Sequence, residues 1–529
     1  MKQLNQYTLS ILAAIIFTSF YNISFFSNVF NIYNFTGKNI LFLCSLYIFS
    51  IGIILLLLSL VISKYTVKPI LVLFFLISSL TGYFMDTFSI PIDHNMIRNV
   101  MQTNIKEAFD LFSYDLVLYV LILGILPSLF IIKVKLTPLL FKQSLLYRFT
   151  LIILLILIMS LSVVTSSKHY TSFFREHKSL RYYSNPTYWI YSVYQYINKT
   201  FNSEPLVLKE IGNDARIITS STKKNIVIMV VGEALRSDRF GLNDYSKNTT
   251  PLLAKENVIN FDNFFSCGTS TAYSVPCMFS VYHRDDYTYK KGITTQNVLD
   301  VLNKTDQINI LWRDNNSDSK GVALRVPYQD FKSKETNTVY DIEARDEGML
   351  VGLDKYIENS KEKNILIVLH QMGNHGPAYY KRYPKKFEKF KPICNSNQLE
   401  RCTKKEISNT YDNAVLYTDY FLSKVISLLK PYSKKYNTAM LYMSDHGESL
   451  GENGIYLHGM PYFIAPQNQK KIAATFWFGK NNEHNTAIDS KCEFSHDNLF
   501  STLLGLFDVK TEVYENDMDM FPKITIKKG

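Results

Sequence analysis

The stretch Asn225-Ile-Val-Ile-Met-Val-Val-Gly-Glu233 is a short, nearly unbroken apolar run that stops at a glycine and a carboxylate. A strand with one wet face alternates polar and apolar residues, whereas a strand covered on both faces, as in a parallel sheet, does not. The same signature returns at Ile308 to Trp312, Asn364 to Leu369, Thr438 to Met443 and Ile472 to Phe478. Helical patterns lie between the runs, at Thr294 to Leu302 and Ser408 to Leu429. Buried strands interleaved with helices predict an α/β sandwich with a parallel sheet over residues 219–529.

In open α/β sheets ligands bind at the carboxyl ends of the strands. That rule selects Glu233 after the first run, His370 and then His375 after the third, and Ser444-Asp445-His446 after the fourth. Any one of these is more often structural. Jointly they are the Glu, Asp and His donors that an open catalytic zinc site uses. A nucleophile is offered by Ser266-Cys-Gly-Thr-Ser-Thr-Ala-Tyr-Ser-Val-Pro-Cys277, where Gly268 and the hydroxyls suit a tight turn and Ala272 onward suits a helix start. Unpaired amides and the helix dipole there favour an alkoxide or a phosphate. Helix capping is the competing role for the same hydroxyls, and spacing does not choose among Thr269, Ser270 and Thr271. The run Ser444 to His458 adds His458 on a glycine-rich loop, suited to protonating a leaving group, binding the moving phosphate or ligating a second metal.

Working towards the N-terminus, the solvent changes. Five segments approach the roughly 20 apolar residues that cross a bilayer: Leu9 to Phe30, Ile40 to Ser63, Pro69 to Phe88, Leu116 to Ile132 and Phe149 to Thr165. A cleavable signal peptide competes for the first, but no small-residue cleavage site precedes the other spans. Lys2, Lys64, Lys68, Lys133, Lys135, Lys142 and Arg148 occupy alternate loops, which stay cytoplasmic. Residues 1–166 therefore read as a five-span domain that leaves the C-terminal domain outside the cytoplasm. A connector over 167–218, rich in Tyr and Trp, predicts an interfacial amphipathic helix. In the loop between spans three and four, Asn95 to Glu107 reads as one helix with Asn99, Thr103 and Glu107 along one face, for which a solvated surface is the plainer reading.

An oxidising compartment makes disulfides of the close pairs Cys267–Cys277 and Cys394–Cys402, and leaves Cys44 and Cys492 free. The formal charge of +11 comes without a basic run interleaved with aromatics, so anionic membrane lipids suit it better than nucleic acid.

With these residues in view, the chain resembles the lipid A phosphoethanolamine transferases, which include the mobile colistin-resistance enzymes, within the alkaline phosphatase and sulfatase superfamily. The resemblance is carried by Val231-Gly-Glu-Ala-Leu-Arg236, Cys267 to Ser280, Asn374-His-Gly-Pro377 and Ser444 to Gly459, and it extends from the spans to the last helix. It implies a bacterial inner-membrane protein, monomeric, with a periplasmic sulfatase-like catalytic domain. Glu233, Thr271, Asp445 and His446 match the positions that hold the catalytic zinc, and Thr271 matches the residue that carries phosphoethanolamine. His375 and His458 match histidines that bind substrate or a second zinc, with His370 nearby. Asn99, Thr103, Glu107, Ser317 and Lys320 match headgroup-binding positions. The implied activity moves phosphoethanolamine from phosphatidylethanolamine to lipid A, conferring polymyxin resistance. Transfer to a core sugar such as Kdo or heptose, a membrane-anchored hydrolase and a lipoteichoic-acid-type polymerase are the rivals. Colistin-resistance enzymes have a further disulfide between the Lys320 and Asp346 regions; this chain lacks it, so Lys332 to Arg345 is expected to be more mobile.

Overall fold

The computed structural model describes residues 3–522 other than 104, 138, 202–206, 219–222, 361–362, 481 and 485–487. The chain divides into two compact units, one formed by Met1–Met101 with Phe112–Ser203 and the other by Gln102–Leu111 with Glu204–Gly529. The expected connector is therefore not a separate body: its helices Ser167–Glu176 and Thr187–Phe201 belong to the first unit.

In the first unit, Asn39–Val61, Val67–Phe88, Tyr114–Lys133 and Phe141–Thr165 are long and apolar enough to cross a membrane. Ile153, Leu157 and Leu161 of the last helix are more than half exposed. Such side chains lose about 1.5–3 kcal/mol each when left in water, a cost that vanishes against hydrocarbon. The first expected span is instead a pair, Gln6–Phe20 and Ile23–Ile32, bent by 55°. Asn22 sits at the break and donates to the carbonyls of Phe17 (2.9 Å) and Asn185 (2.5 Å), an alternative to continuing the helix. Asp86 accepts from the Ser24 amide (3.0 Å) in the first turn of the second half and from the Tyr119 hydroxyl (2.7 Å). Asp86, an acid in the last turn of its span, thus caps a helix.

The connector aromatics also depart from expectation. Tyr170, Phe173, Tyr182, Tyr183 and Trp189 are buried within the unit, while Tyr191 and Tyr194 are more than half exposed. Trp189 Nε1 donates to Ser78 Oγ (3.2 Å) and the Tyr183 hydroxyl to Ser89 O (3.0 Å), so their polar tips are satisfied by protein. The expected single helix after the third span is two, His94–Gln102 and Ile105–Asp110. The break removes the stripe: Asn99 lies in the membrane unit, whereas Thr103 and Glu107 lie in the segment grouped with the second unit. The Glu107 side chain is outside the described residues.

The second unit is built on an eight-stranded sheet. Its strands are β1 Asn225–Gly232, β2 Val258–Phe265, β3 Ile308–Asp314, β4 Tyr328–Asp330, β5 Asn364–His370, β6 Asn437–Ser444, β7 Lys471–Phe478 and β8 Phe494–Ser495, in the order β8-β2-β7-β6-β1-β5-β3-β4. Every residue of β1, β5 and β6 is buried, which is why their sequences carry no alternation. Parallel pairing aligns Val231 with His370 and Gly232 with Ser444, so three chain segments leave the sheet at one edge.

One strand departs from the expected parallel sheet: β7 runs antiparallel to both β6 and β2. A strand covered on both faces has the same composition in either direction, so its apolar run carried no information on polarity. Strand β2 escaped notice because Phe261 and Phe264 are buried while Asp262 is exposed, leaving no unbroken run. The helix expected at Thr294 to Leu302 is split into Tyr289–Thr294 and Val298–Asn303. Asn297 and Asp300 form a capping box that starts the second.

Candidate active site

Glu233 follows β1 directly, and the next residue, Ala234, turns sharply with φ 54°. Its amide donates to Asp445 Oδ1 (3.0 Å), as does the His446 amide (2.7 Å). The loops after β1 and β6 are thereby fixed to each other, and both carboxylates are aimed at one point. Thr271 Oγ1 lies 3.1 Å from Glu233 Oε2 and 3.3 Å from His446 Nε2. His446 Nε2 lies 3.4 Å from Glu233 Oε1 and 3.3 Å from Asp445 Oδ2.

The charges are as informative as the distances. His446 Nδ1 faces the Gly447 carbonyl at 2.8 Å, which places the proton there and turns the Nε2 lone pair into the cluster. Burial pushes the His446 pKa down to about 3, so the ring is neutral. Asp445 is pushed well up, first by burial and then by the Glu233 carboxylate beside it. Glu233 Oε1 and Asp445 Oδ2 are buried without a hydrogen-bond partner among the described residues. Two buried carboxylates side by side are unfavourable unless a cation lies between them. An imidazole lone pair, two carboxylate oxygens and a hydroxyl are a donor set suited to a borderline divalent ion; Glu233, Asp445 and His446 offer ligand atoms within 4.8 Å of one another.

Geometry also separates the three hydroxyls that spacing left equivalent. Thr269 Oγ1 is committed to the Met460 carbonyl at 2.5 Å. Ser270 precedes the helix Thr271–Met278 and makes no side-chain capping bond. Thr271 opens that helix with its hydroxyl in the carboxylate cluster. The loop is held by His496, a residue that sequence reasoning passed over: Nδ1 accepts from the Cys267 amide (3.0 Å) and Nε2 donates to the Ser444 carbonyl (2.9 Å).

His375 Nδ1 is 3.3 Å from Glu233 Oε1, and the His458 ring lies 4.2 Å from that of His446 and 5.7 Å from that of His375. Burial alone would lower the His458 pKa, but Glu448 at 2.7 Å outweighs it and pushes it up to about 9. Glu448 was missed although it lies inside the Ser444 to His458 run; with His446 and His458 it forms a second potential ligand group. Asn316, also missed, donates to Glu233 Oε2 (2.8 Å) and to the Gln371 carbonyl (2.7 Å). Its oxygen accepts from the Ser317 amide (2.6 Å). Lys320 lines a small cleft with Pro276 of the Thr271 helix and Ser280 just beyond it.

One expected substrate residue is withdrawn. His370 is fully buried and its Nδ1 lies 2.9 Å from Asp314 Oδ2, beside Trp312. It ends a strand interior to the sheet, so its side chain packs within the core. Polar contacts hold the C-terminal border of the segment Lys332 to Arg345, where the further disulfide of the colistin-resistance enzymes is absent. Asp346 accepts from Asn315 Nδ2 (2.8 Å) and the amides of Met372 (2.9 Å) and Gly373 (3.2 Å). Arg345 donates to the Lys381 carbonyl (2.6 Å). Cys267–Cys277 and Cys394–Cys402 are disulfides, and Cys44 and Cys492 are free.

The sulfatase family profile matches residues 225–509, and the profile of phosphoethanolamine transferases EptA/EptB matches residues 50–201. The chain is 41% identical to phosphatidylethanolamine transferase Mcr-1 from Escherichia coli over 97% of its own length and 96% of that protein. Among solved structures, the integral membrane lipooligosaccharide phosphoethanolamine transferase A from Neisseria meningitidis superposes with a TM-score of 0.94 at 33% identity, covering 98% of this chain and 99% of that one. The C-terminal periplasmic domain of phosphoethanolamine transferase EptC from Campylobacter jejuni is 44% identical with a TM-score of 0.53, covering 60% of this chain and 98% of that domain. A unit of sulfatase type and a unit of apolar membrane helices, matched along nearly the whole chain, place this protein in the phosphoethanolamine transferase family.

Proposed function

We propose that this chain transfers phosphoethanolamine from phosphatidylethanolamine to a phosphate of lipid A through a phosphoethanolamine–Thr271 intermediate, with zinc held by Glu233, Asp445 and His446 at the Thr271 hydroxyl. The observation that carries the reading is the convergence of Thr271 Oγ1 on Glu233 and His446 at 3.1 and 3.3 Å. Zinc in that cluster supplies a Lewis acid that lowers the hydroxyl pKa and offsets phosphate charge.

Thr271 Oγ attacks phosphorus as its proton passes to Glu233 Oε2, 3.1 Å away, and the bond from phosphorus to the diacylglycerol oxygen breaks. His458, placed beside His446, delivers a proton to that leaving oxygen. His375 orients the phosphate from the other side. A lipid A phosphate oxygen then gives its proton to His458 and attacks the same phosphorus, and the bond to Thr271 breaks as Glu233 returns the proton that restores the hydroxyl. Ser317 and Lys320 serve the phosphoethanolamine group, as do Thr103 and Glu107 of the loop. The added amine offsets phosphate charge on the acceptor and weakens its Coulomb attraction for cationic peptides.

The test is mass spectrometry of the purified full-length protein given phosphatidylethanolamine alone and then lipid A. The peptide containing Thr271 gains phosphoethanolamine in the first step and loses it in the second, as lipid A gains it. Full transfer by Thr271→Ala would rule out the covalent route, and product on Kdo in place of the lipid A phosphates would reassign the acceptor.

A further inference from the structure

Residues Gln102–Leu111 join two membrane helices in the chain yet belong to the catalytic unit. Among its described side chains apolar burial does not account for this, because Ala108 and Phe109 are exposed, Phe109 by 69%. Asp110 is the buried one among those described. It accepts from Arg382 Nη2 (2.6 Å) and from Lys381 Nζ, and its carbonyl accepts from Asn397 Nδ2 (2.8 Å). Gln102 Nε2 donates to the Tyr289 hydroxyl (3.0 Å) at the other end.

Arg382 is the centre of this arrangement. Its side chain is 1% exposed, and its three nitrogens reach three different segments: Nη2 to Asp110, Nη1 to Glu343 Oε2 (2.6 Å) and Nε to the carbonyl of His375 (2.6 Å). Glu343 is shared with Arg345 at 3.6 Å. Burial alone would raise the Asp110 carboxyl, but Arg382 and Lys381 hold it below the usual carboxylate range, so the pair stays ionised. Buried ion pairs are a poor way to gain stability compared with apolar packing. A planar guanidinium with three fixed donor directions does set angles and register that apolar contact leaves loose.

We propose that Arg382 and Asp110 are positioning residues: they clasp the Gln102–Leu111 segment to the catalytic unit and, through the same guanidinium, hold the His375 carbonyl and so the main chain from which the His375 ring reaches Glu233. The role of the segment in holding the donor headgroup rests on the proposed function; the clasp itself does not. Asp110→Asn keeps the shape and removes the charge. Arg382→Lys keeps the charge and removes the fork.

The experiment uses full-length protein in nanodiscs that contain phosphatidylethanolamine, with hydrogen exchange and steady-state transfer read on each variant. Asp110→Asn is expected to speed amide exchange of Ile105–Asp110 about tenfold and leave β1 unchanged. Its KM for phosphatidylethanolamine is expected to rise about fivefold with kcat within about twofold, whereas Arg382→Lys loses kcat as well because the His375 carbonyl is released. An unchanged KM in Asp110→Asn overturns the positioning role. So does a loss of kcat accompanied by faster exchange in β1, which would mark general unfolding. If the wild-type chain transferred nothing from phosphatidylethanolamine, the proposed function would be at fault, and the exchange result alone would decide the clasp.

Discussion

Replacing His496 by alanine or by glutamine measures what one buried imidazole does for the catalytic unit. His496 is fully buried and joins the Cys267 amide, at the start of the loop that carries Thr271, to the Ser444 carbonyl, one residue before Asp445. Alanine leaves both backbone groups buried without partners, at about 1–3 kcal/mol each, so a loss of about 4 kcal/mol is expected. For a unit of this size that lowers Tm by about 8 °C. Glutamine supplies one acceptor and one donor and recovers part of the loss. The same residue has a pH signature, since burial lowers its pKa from 6.5 to about 4. Between those values the unfolded chain binds the proton and the folded chain does not, so stability falls as pH drops from 6.5 towards 4, by about 3 kcal/mol in all. The assay is thermal unfolding of the metal-loaded full chain at a series of pH values, followed by fluorescence of Trp312 and Trp477. Wild type should lose Tm over that window more steeply than His496→Gln. Parallel curves for the two proteins would refute the assignment of a neutral, doubly bonded imidazole.

Two further outcomes are expected. Removal of metal by a chelator should lower Tm, because the buried Glu233 and Asp445 carboxylates are left in one cluster with no cation between them, and zinc should restore it better than magnesium, which prefers all-oxygen sites; elemental analysis showing no retained metal and no change in Tm on chelation would refute the proposed metal site. Gly373→Ala should lower kcat/KM by about tenfold or more, since φ is +46° and the new Cβ would lie 3.0–3.1 Å from Glu233 backbone and side-chain atoms. Gly352→Ala, at φ +74° with open space around the new Cβ, has comparable backbone strain and should leave transfer rates unchanged; equal activity loss in both would remove the role assigned to the Glu233 contact.

How much was legible in the sequence follows from how local each feature is. The runs that became β1, β3, β5, β6 and β7 could be read because strands covered on both faces cannot conceal their composition, and the residues just after β1, β5 and β6 could be read as site residues because parallel strands share one carboxyl edge. The apolar spans and the two cysteine pairs are equally local. The direction of β7, the break at Thr103 and the bend at Asn22 were not readable. Each depends on a partner strand, a packing surface or a distant carbonyl that periodicity does not encode. The family resemblance named Thr271, but the physical ground for preferring it is that the Met460 carbonyl takes Thr269 and leaves Thr271 to Glu233 and His446.

The sequence by itself determined the two solvents of this protein and the donor types of its candidate metal site, since both follow from residue type and spacing along the chain. Only the tertiary structure decided which hydroxyl meets the carboxylates, that His370 packs inside the core, and that Asp110 closes on Arg382 across 272 positions of chain. Hydrogen bonds and ion pairs are directional and act over a few ångströms, so their partners exist only once the sheet has fixed where each loop ends.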